Sequence, residues 1–155
     1  MVSIYCLDSS ALVKRYITER GSAWIRSLTD PDAGNSLIIV RITWVEVLSA
    51  LARRQREGTL TPGDVGQAIR TFRYDLNAQY QVSELDATLA DAAGELVCRH
   101  PLRAYDAIQL ASALHARSDL AQISAPTLTF LTADDRLLVI AQAEGLRTDN
   151  PNHHP

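Results

Sequence analysis

The sequence contains few cysteines and no long apolar run. Only Cys6 and Cys98 are present, and neither belongs to a C-x-x-C pair. Both lie in apolar patterns, which favours two buried, reduced thiols over a disulfide or a metal motif. No apolar stretch approaches the roughly 20 residues that cross a bilayer, and the first residues lack the basic region of a signal peptide. We therefore expect a cytoplasmic protein.

Motifs of several acid-rich or nucleotide-binding α/β proteins are also missing. There is no P-loop and no G-x-G-x-x-G segment, so nucleotide cofactors have no support. Ser10 stands where a haloacid-dehalogenase-type phosphotransferase has its second aspartate, and Leu12 interrupts the Asp-x-Ser-x-Ser pattern of a metal-dependent adhesion site. A receiver domain would need paired acids after the first strand and a late lysine, and the sequence has neither.

Lysine is almost absent, because Lys14 is the one lysine among 15 basic residues. The net charge of −3 does not favour nucleic acid, but net charge hides the distribution of charge. Basic residues cluster at two places: Arg53, Arg54 and Arg56 in one, Arg99, His100 and Arg103 in the other. These clusters are either solvated helix faces or contacts to a phosphate backbone.

Short apolar runs alternate with longer helical patterns along the chain. Strands are predicted at residues 4–7, 37–40, 80–83, 128–131 and 146–148. Helices are predicted at residues 10–17, 22–28, 44–57, 64–79, 87–98, 103–116 and 135–144. This alternation predicts a single α/β domain over residues 1–149, with a central, mainly parallel sheet of about five short strands flanked by helices. Residues 150–155 are expected to form a disordered tail.

Four acids are expected at one edge of this sheet. Asp8 follows the first strand and Asp134 follows the fourth, while Glu46 and Asp106 lie in the first turns of two helices. In parallel sheets, ligand sites gather beyond the carboxyl ends of the strands. Each acid also has a structural interpretation: Asp8 and Asp134 as N-caps, Asp106 as a complement to a helix dipole, and Glu46 as a capping-box partner of Thr43.

Carboxylates held close together favour a cation between them. One of them would have to take up a proton unless a positive charge neutralises the group. Mg²⁺ is bound by a few carboxylates and takes its remaining ligands from water and substrate phosphate. It makes bound water more acidic and offsets the charge of a phosphodiester during hydrolysis. The acids therefore predict metal-dependent phosphodiester hydrolysis.

Four segments resemble, in order, the motifs of PIN-domain proteins, in particular the VapC-like toxins of bacterial toxin–antitoxin pairs. They are IYCLDSSALVK at 4–14, TWVEVLSAL at 43–51, LRAYDAIQLA at 102–111 and FLTAD at 130–134. The resemblance spans nearly the whole chain. It implies an endoribonuclease that uses Mg²⁺, with Mn²⁺ as a substitute, acts on tRNA, rRNA or mRNA, forms a homodimer, and is inhibited by a cognate antitoxin that covers the active site.

The resemblance also assigns roles to individual residues. The catalytic, metal-binding acids would be Asp8, Glu46, Asp106 and Asp134, with Thr132 and Ser10 in support; Asp135 is the alternative for the fourth acid. Candidate contacts to RNA or to the antitoxin are Arg53, Arg54, Arg56, Arg99, Arg103 and Tyr105. Two alternatives remain: a PIN-fold RNA- or protein-binding module without cleavage activity, and a nuclease directed at DNA.

Overall fold

A parallel sheet forms the centre of the protein in the computed structural model, which describes residues 2–155. Its strands are β1 (Ile4–Leu7), β2 (Ser36–Val40), β3 (Gln81–Ser83), β4 (Leu128–Leu131) and β5 (Arg147–Asp149). The helices are α1 (Ser9–Tyr16), α2 (Ser22–Thr29), α3 (Ile42–Arg56), α4 (Pro62–Ala78), α5 (Ala87–Arg99), α6 (Ala104–Gln122) and α7 (Asp135–Ala143). The predicted α/β class and the parallel five-stranded sheet are confirmed. None of the helices within residues 2–155 is long and apolar enough to span a membrane.

Both faces of the sheet are buried. Successive residues of β2 alternate between the two cores: Leu37 and Ile39 pack with α1, α2, α3 and α4, whereas Ile38 and Val40 pack with α5, α6 and α7. Because helices cover both sides, the central strands read as continuous apolar runs rather than as an alternation of apolar and polar residues. The sheet is therefore a stiff, buried platform for the residues that follow each strand.

The order of the strands places a topological switch beside β1. The sheet runs β3-β2-β1-β4-β5, so the chain first builds outward from β1 to β3 and then continues on the other side of β1. The switch lies between β1 and β4, where the N–H of Asp8 donates to the carbonyl of Leu131 at 3.1 Å. In open α/β sheets, ligands bind beyond the strand ends at such a switch.

Every helix differs from its predicted bounds by at least one residue, and two of the differences have consequences. Helix α3 begins at Ile42, so Thr43 lies inside its first turn and is fully buried, and the predicted Thr43–Glu46 capping box is wrong. Helix α6 continues to Gln122 rather than ending at residue 116. The extra turns contain neither glycine nor proline, and Leu120 packs on the core beneath them, so nothing in the sequence ends the helix earlier.

The expectation of a disordered tail at residues 150–155 is corrected by specific contacts. Pro151–His153 forms a 3-10 turn, and the buried Asn150 donates its amide to Asp135 at 2.7 Å. The His154 ring stacks on Trp24 with centroids 4.0 Å apart. Gly21, with a φ of +84°, lies so close to the backbone of Pro151 that a side chain at this position would collide with it.

Candidate active site

The four predicted acids form a connected series at the carboxyl edge of the sheet. Asp8 is buried, and Glu46, Asp106 and Asp134 are partly buried. Burial raises the pKa of three of them, and the charge of a neighbouring acid raises each further: Glu46 acts on Asp8, Asp106 acts on Glu46, and Asp134 acts on Asp106. Each member of the series is therefore near enough to the next to oppose its ionisation.

Asp8 is the most enclosed of the four. It is the N-cap of α1, and its Oδ1 accepts hydrogen bonds from the Ala11 N–H at 2.9 Å and the Ser10 hydroxyl at 2.7 Å. Burial raises the pKa of Asp8 to about 6, and the charge of Glu46 adds to the rise. The hydroxyls of Thr132 and Ser10 and the N–H of Ala11 lower the pKa but do not cancel the effect of burial.

Glu46 extends from the first turns of α3 and is held through both carboxylate oxygens. Ser9 donates to Oε2 at 3.0 Å, and Gln109 donates to Oε1 at 2.7 Å. Burial raises the pKa of Glu46, and the charge of Asp106 raises it further. The side chain thus faces the other acids, not the backbone of its own helix.

Asp106 and Asp134 complete the series. Asp106 lies in the first turn of α6, where burial and then the charge of Asp134 raise its pKa, while Arg103 and Arg136 lower it. It accepts no hydrogen bond from the described residues. Asp134 is the N-cap of α7, and its Oδ1 accepts from the N–H groups of Arg136 at 2.9 Å and Leu137 at 3.3 Å.

The supporting hydroxyls link the ends of β1 and β4. Ser10 donates to Asp8 and accepts from the N–H of Ala133 at 2.9 Å. Thr132 is fully buried, accepts from the N–H of Asp134 at 3.1 Å, and its hydroxyl lies 3.4 Å from that of Ser10. Both hydroxyls therefore lie against the acids, where the sequence predicted them.

The two candidates for the fourth acid point in different directions. Asp135 accepts from Asn150 and belongs to the contact that holds the C-terminal tail. Asp134 is the neighbour whose charge reaches Asp106. The structure therefore brings Asp134, and not Asp135, to the acids.

No closed ligand cage is formed by these side chains. Within residues 2–155, no group of three or more His, Cys, Asp or Glu side chains is close enough together to hold a metal ion. The acids instead line the site as a series, and the carboxylate of Asp106 accepts no hydrogen bond from residues 2–155.

A cavity of about 660 Å³ opens beside Glu46. Among its lining residues are Lys14, Arg53, Arg54, Arg103 and Tyr105. Glu19, which also lines the cavity, pairs with Lys14 at 2.9 Å and with Arg54. We refer to this cavity as the basic groove.

The six predicted contact residues do not all reach the basic groove. Arg53, Arg54, Arg103 and Tyr105 line it; Tyr105 is 58% exposed. Arg56 lies at the end of α3 and is not among the lining residues, and Arg99 pairs with Glu144 at 3.0 Å. The second basic cluster is therefore divided between two places.

Sequence reasoning assigned no role to Ser9, Lys14 or Gln109. The signal for Gln109 is its position three residues after Asp106, among apolar residues of α6, where a buried amide needs a polar partner. The partner itself, Glu46, comes from a helix 63 positions away in the chain. Periodicity within one helix does not reveal such a pair.

Comparison with known proteins identifies the family. The PIN domain family model matches residues 5–143. Ribonuclease VapC45 of Mycobacterium tuberculosis (strain CDC 1551 / Oshkosh) is 36% identical over 140 residues, which cover 90% of each chain.

Two solved structures are similar in fold. VapBC2 from Rickettsia felis, bound to a DNA fragment from its promoter, has a TM-score of 0.61 at 15% identity, covering 95% of this chain and 98% of that one. VapC20 of Mycobacterium tuberculosis, described as a Sarcin-Ricin loop cleaving toxin, has a TM-score of 0.61 at 17% identity, covering 93% and 96%. The chain belongs to the PIN domain family.

Proposed function

We propose that this chain is the toxin of a toxin–antitoxin pair and a metal-dependent endoribonuclease. It hydrolyses RNA phosphodiester bonds through Asp8, Glu46, Asp106 and Asp134. The observation that carries the proposal is the series of partly or fully buried carboxylates at the switch point of the sheet, in which each charge opposes the ionisation of the next. The relative at 36% identity, named a ribonuclease, supports RNA as the substrate.

The donor set fits a divalent cation. All four side chains offer carboxylate oxygens, which Mg²⁺ prefers and Mn²⁺ also accepts. Asp106 accepts no hydrogen bond within the described part of the chain. Burial raises the pKa of Asp8, Glu46 and Asp106, and a cation would offset the repulsion between neighbouring acids that adds to the rise. When bound, Mg²⁺ or Mn²⁺ would make water a better nucleophile and reduce the negative charge of the phosphodiester.

The basic groove supports a polyanionic substrate next to the acids. Arg53 and Arg103 are exposed at its rim, and arginine binds phosphate oxygens through two parallel hydrogen bonds. Tyr105, which adjoins Asp106 in the chain, offers an exposed ring on which an unpaired base can stack. The groove residues bind and orient the strand, and the acids act on the phosphodiester that reaches them.

A protein partner is the second part of the proposal. The fold neighbour VapBC2 is a complex, which supports a cognate antitoxin for this chain. We propose that the antitoxin covers the basic groove and the acids, and that the toxin forms a homodimer. Light scattering of the purified chain, alone and with the antitoxin, measures both assemblies.

The decisive experiment compares cleavage of total tRNA and ribosomal RNA by purified chain in Mg²⁺, in Mn²⁺ and in EDTA. We expect discrete cleavage that requires the metal and is lost in Asp106→Asn. Asp119→Asn is the matched control, because Asp119 lies on the same helix, is exposed and is far from the acids. RNA binding by the parent without cleavage in any metal would contradict the enzyme and favour the binding module. Cleavage of DNA alone would contradict the substrate.

A further inference from the structure

Gln109 joins the two helices that carry Glu46 and Asp106. It lies on α6, one helical turn after Asp106, and is 1% exposed. Its Nε2 donates to Glu46 Oε1 at 2.7 Å and to Thr43 Oγ1 at 2.9 Å. Thr43 lies one turn before Glu46 on α3, so a single buried amide fixes α6 against the first turns of α3.

The orientation of the Gln109 amide leaves one of its polar atoms without a hydrogen bond. Gln109 Oε1 is buried and has no hydrogen-bond partner within residues 2–155. A buried acceptor without a partner is unfavourable, and an apolar side chain of the same length would avoid it. Turning the amide over would place Oε1 against the Glu46 carboxylate, which is itself an acceptor. The observed orientation of the amide therefore preserves the hydrogen bond to Glu46 and leaves Gln109 Oε1 without a partner among residues 2–155.

The opposite oxygen of Glu46 is held as well. Ser9, the first residue of α1, donates to Oε2 at 3.0 Å. Glu46 has three side-chain torsions, and one hydrogen bond would leave its carboxylate free to rotate about the bonded oxygen. Two donors, from α1 and α6, fix both the position and the plane of the carboxylate.

We propose that Gln109, together with Ser9, is a positioning residue that orients the Glu46 carboxylate for a divalent cation held by the acid series. This inference rests on the proposed function. It predicts an effect of Gln109 on metal affinity, although Gln109 itself supplies no ligand. Partners of this kind change metal affinity by about 10- to 100-fold when they are removed from other metalloproteins.

The test measures the Kd for Mn²⁺ without RNA, from the electron paramagnetic resonance signal of free Mn²⁺. Gln109→Met keeps the length of the side chain and removes both hydrogen bonds. Ser112→Ala is the matched control, because Ser112 is also buried on α6 with an unpartnered oxygen, one turn farther from the acids. We expect Gln109→Met to weaken Mn²⁺ binding about 10- to 100-fold, and Ser112→Ala to leave it unchanged.

A second variant covers the case in which Gln109→Met does not fold, as judged by circular dichroism. Ser9→Ala removes one partly exposed hydroxyl and should weaken Mn²⁺ binding by about 3- to 10-fold, as expected for one net hydrogen bond. Equal Mn²⁺ affinity in the parent and in Ser9→Ala, and in Gln109→Met where it folds, would overturn the positioning role and leave the metal site intact. No Mn²⁺ binding by the parent would instead overturn the metal site, and this inference with it.

Discussion

Replacing Asp8 by asparagine is expected to stabilise the protein in the absence of metal at neutral pH. Asparagine is as good an N-cap as aspartate, and its Oδ1 can still accept from Ser10 and from the N–H of Ala11. The substitution removes a charge that burial and Glu46 make unfavourable, which is why the pKa of Asp8 is raised from 3.8 to about 6.

The size of the effect follows from that pKa. A pKa increase of one corresponds to about 1.4 kcal/mol. Ionised Asp8 therefore lowers the free energy of unfolding by about 3 kcal/mol above pH 7. Asp8→Asn removes this unfavourable contribution, but part of the gain is lost because the amide group of asparagine replaces a carboxylate oxygen beside the hydroxyl of Thr132. We expect a net gain of about 2 kcal/mol, which raises the Tm of a chain this size by about 4–8 °C.

The pH dependence gives the effect its signature. A raised pKa in the folded state means that the contribution of Asp8 to stability is fully present below pH 3.8 and is lost as the pH rises through about 6. The advantage of Asp8→Asn should therefore be small near pH 4 and largest above pH 7. Thermal unfolding in EDTA at several pH values measures it. With Mg²⁺ the order should reverse, because the cation stabilises the parent and not the variant.

A matched control at an N-cap outside the acid series separates the effect of the buried, clustered charge from the effect of changing a cap residue. Asp86 is the N-cap of α5, accepts from the N–H of Leu89 at 2.9 Å, and is exposed. Asp86→Asn should change stability by less than about 0.5 kcal/mol at any pH. If Asp8→Asn in EDTA is instead less stable than the parent at pH 7.5, the reasoning from burial and neighbouring charge is wrong.

Two further predictions concern the groove and the tail. Arg53→Gln should weaken RNA binding and reduce the slope of its salt dependence by about 1. Arg56→Gln is the control, because Arg56 lies on the same helix but does not line the basic groove, and it should change neither quantity. Equal slopes for the two variants in fluorescence anisotropy titrations would exclude Arg53 as a phosphate contact. Asn150→Ala should destabilise the protein by about 1–2 kcal/mol in urea unfolding, because it removes the hydrogen bond that the buried Asn150 donates to Asp135. Asn152→Ala leaves that bond intact and should have little effect; comparable losses in both variants would contradict the docking of the tail through Asn150.

The fold was predictable because its signals are local. Runs such as Leu37–Val40 are too short for a helix and too apolar for a surface strand, which indicates a sheet covered on both sides. Asp8 and Asp134 each follow a strand directly, so both are expected at the carboxyl edge of a parallel sheet, whatever the order of the strands. Glu46, in the second turn of α3, and Asp106, in the first turn of α6, are fixed less tightly by the sequence, because side chains near a helix start can point in several directions.

The remainder depended on contacts between distant parts of the chain. Thr43 looked like an N-cap followed by a capping-box glutamate, but α3 begins at Ile42 and Thr43 accepts from Gln109 instead. The tail looked disordered because it is short and polar, yet Asn150 and the ring of His154 find partners on other elements. Local propensity does not register partners that only the folded chain supplies.

Asp8 and Asp134 are both N-caps and members of the acid series, and their cap bonds use one carboxylate oxygen each. The cap bonds of Asp8 go to Oδ1, and so do those of Asp134. Within residues 2–155, no hydrogen bond reaches Oδ2 of Asp134. Each aspartate is thus anchored by its own helix through one oxygen, and at Asp134 the other is left for the site. A carboxylate fixed in this way gives up little further conformational freedom when a cation binds. In the proposed metal site, the N-caps would therefore help to prepare these acids for a cation, and would not be an alternative to binding one.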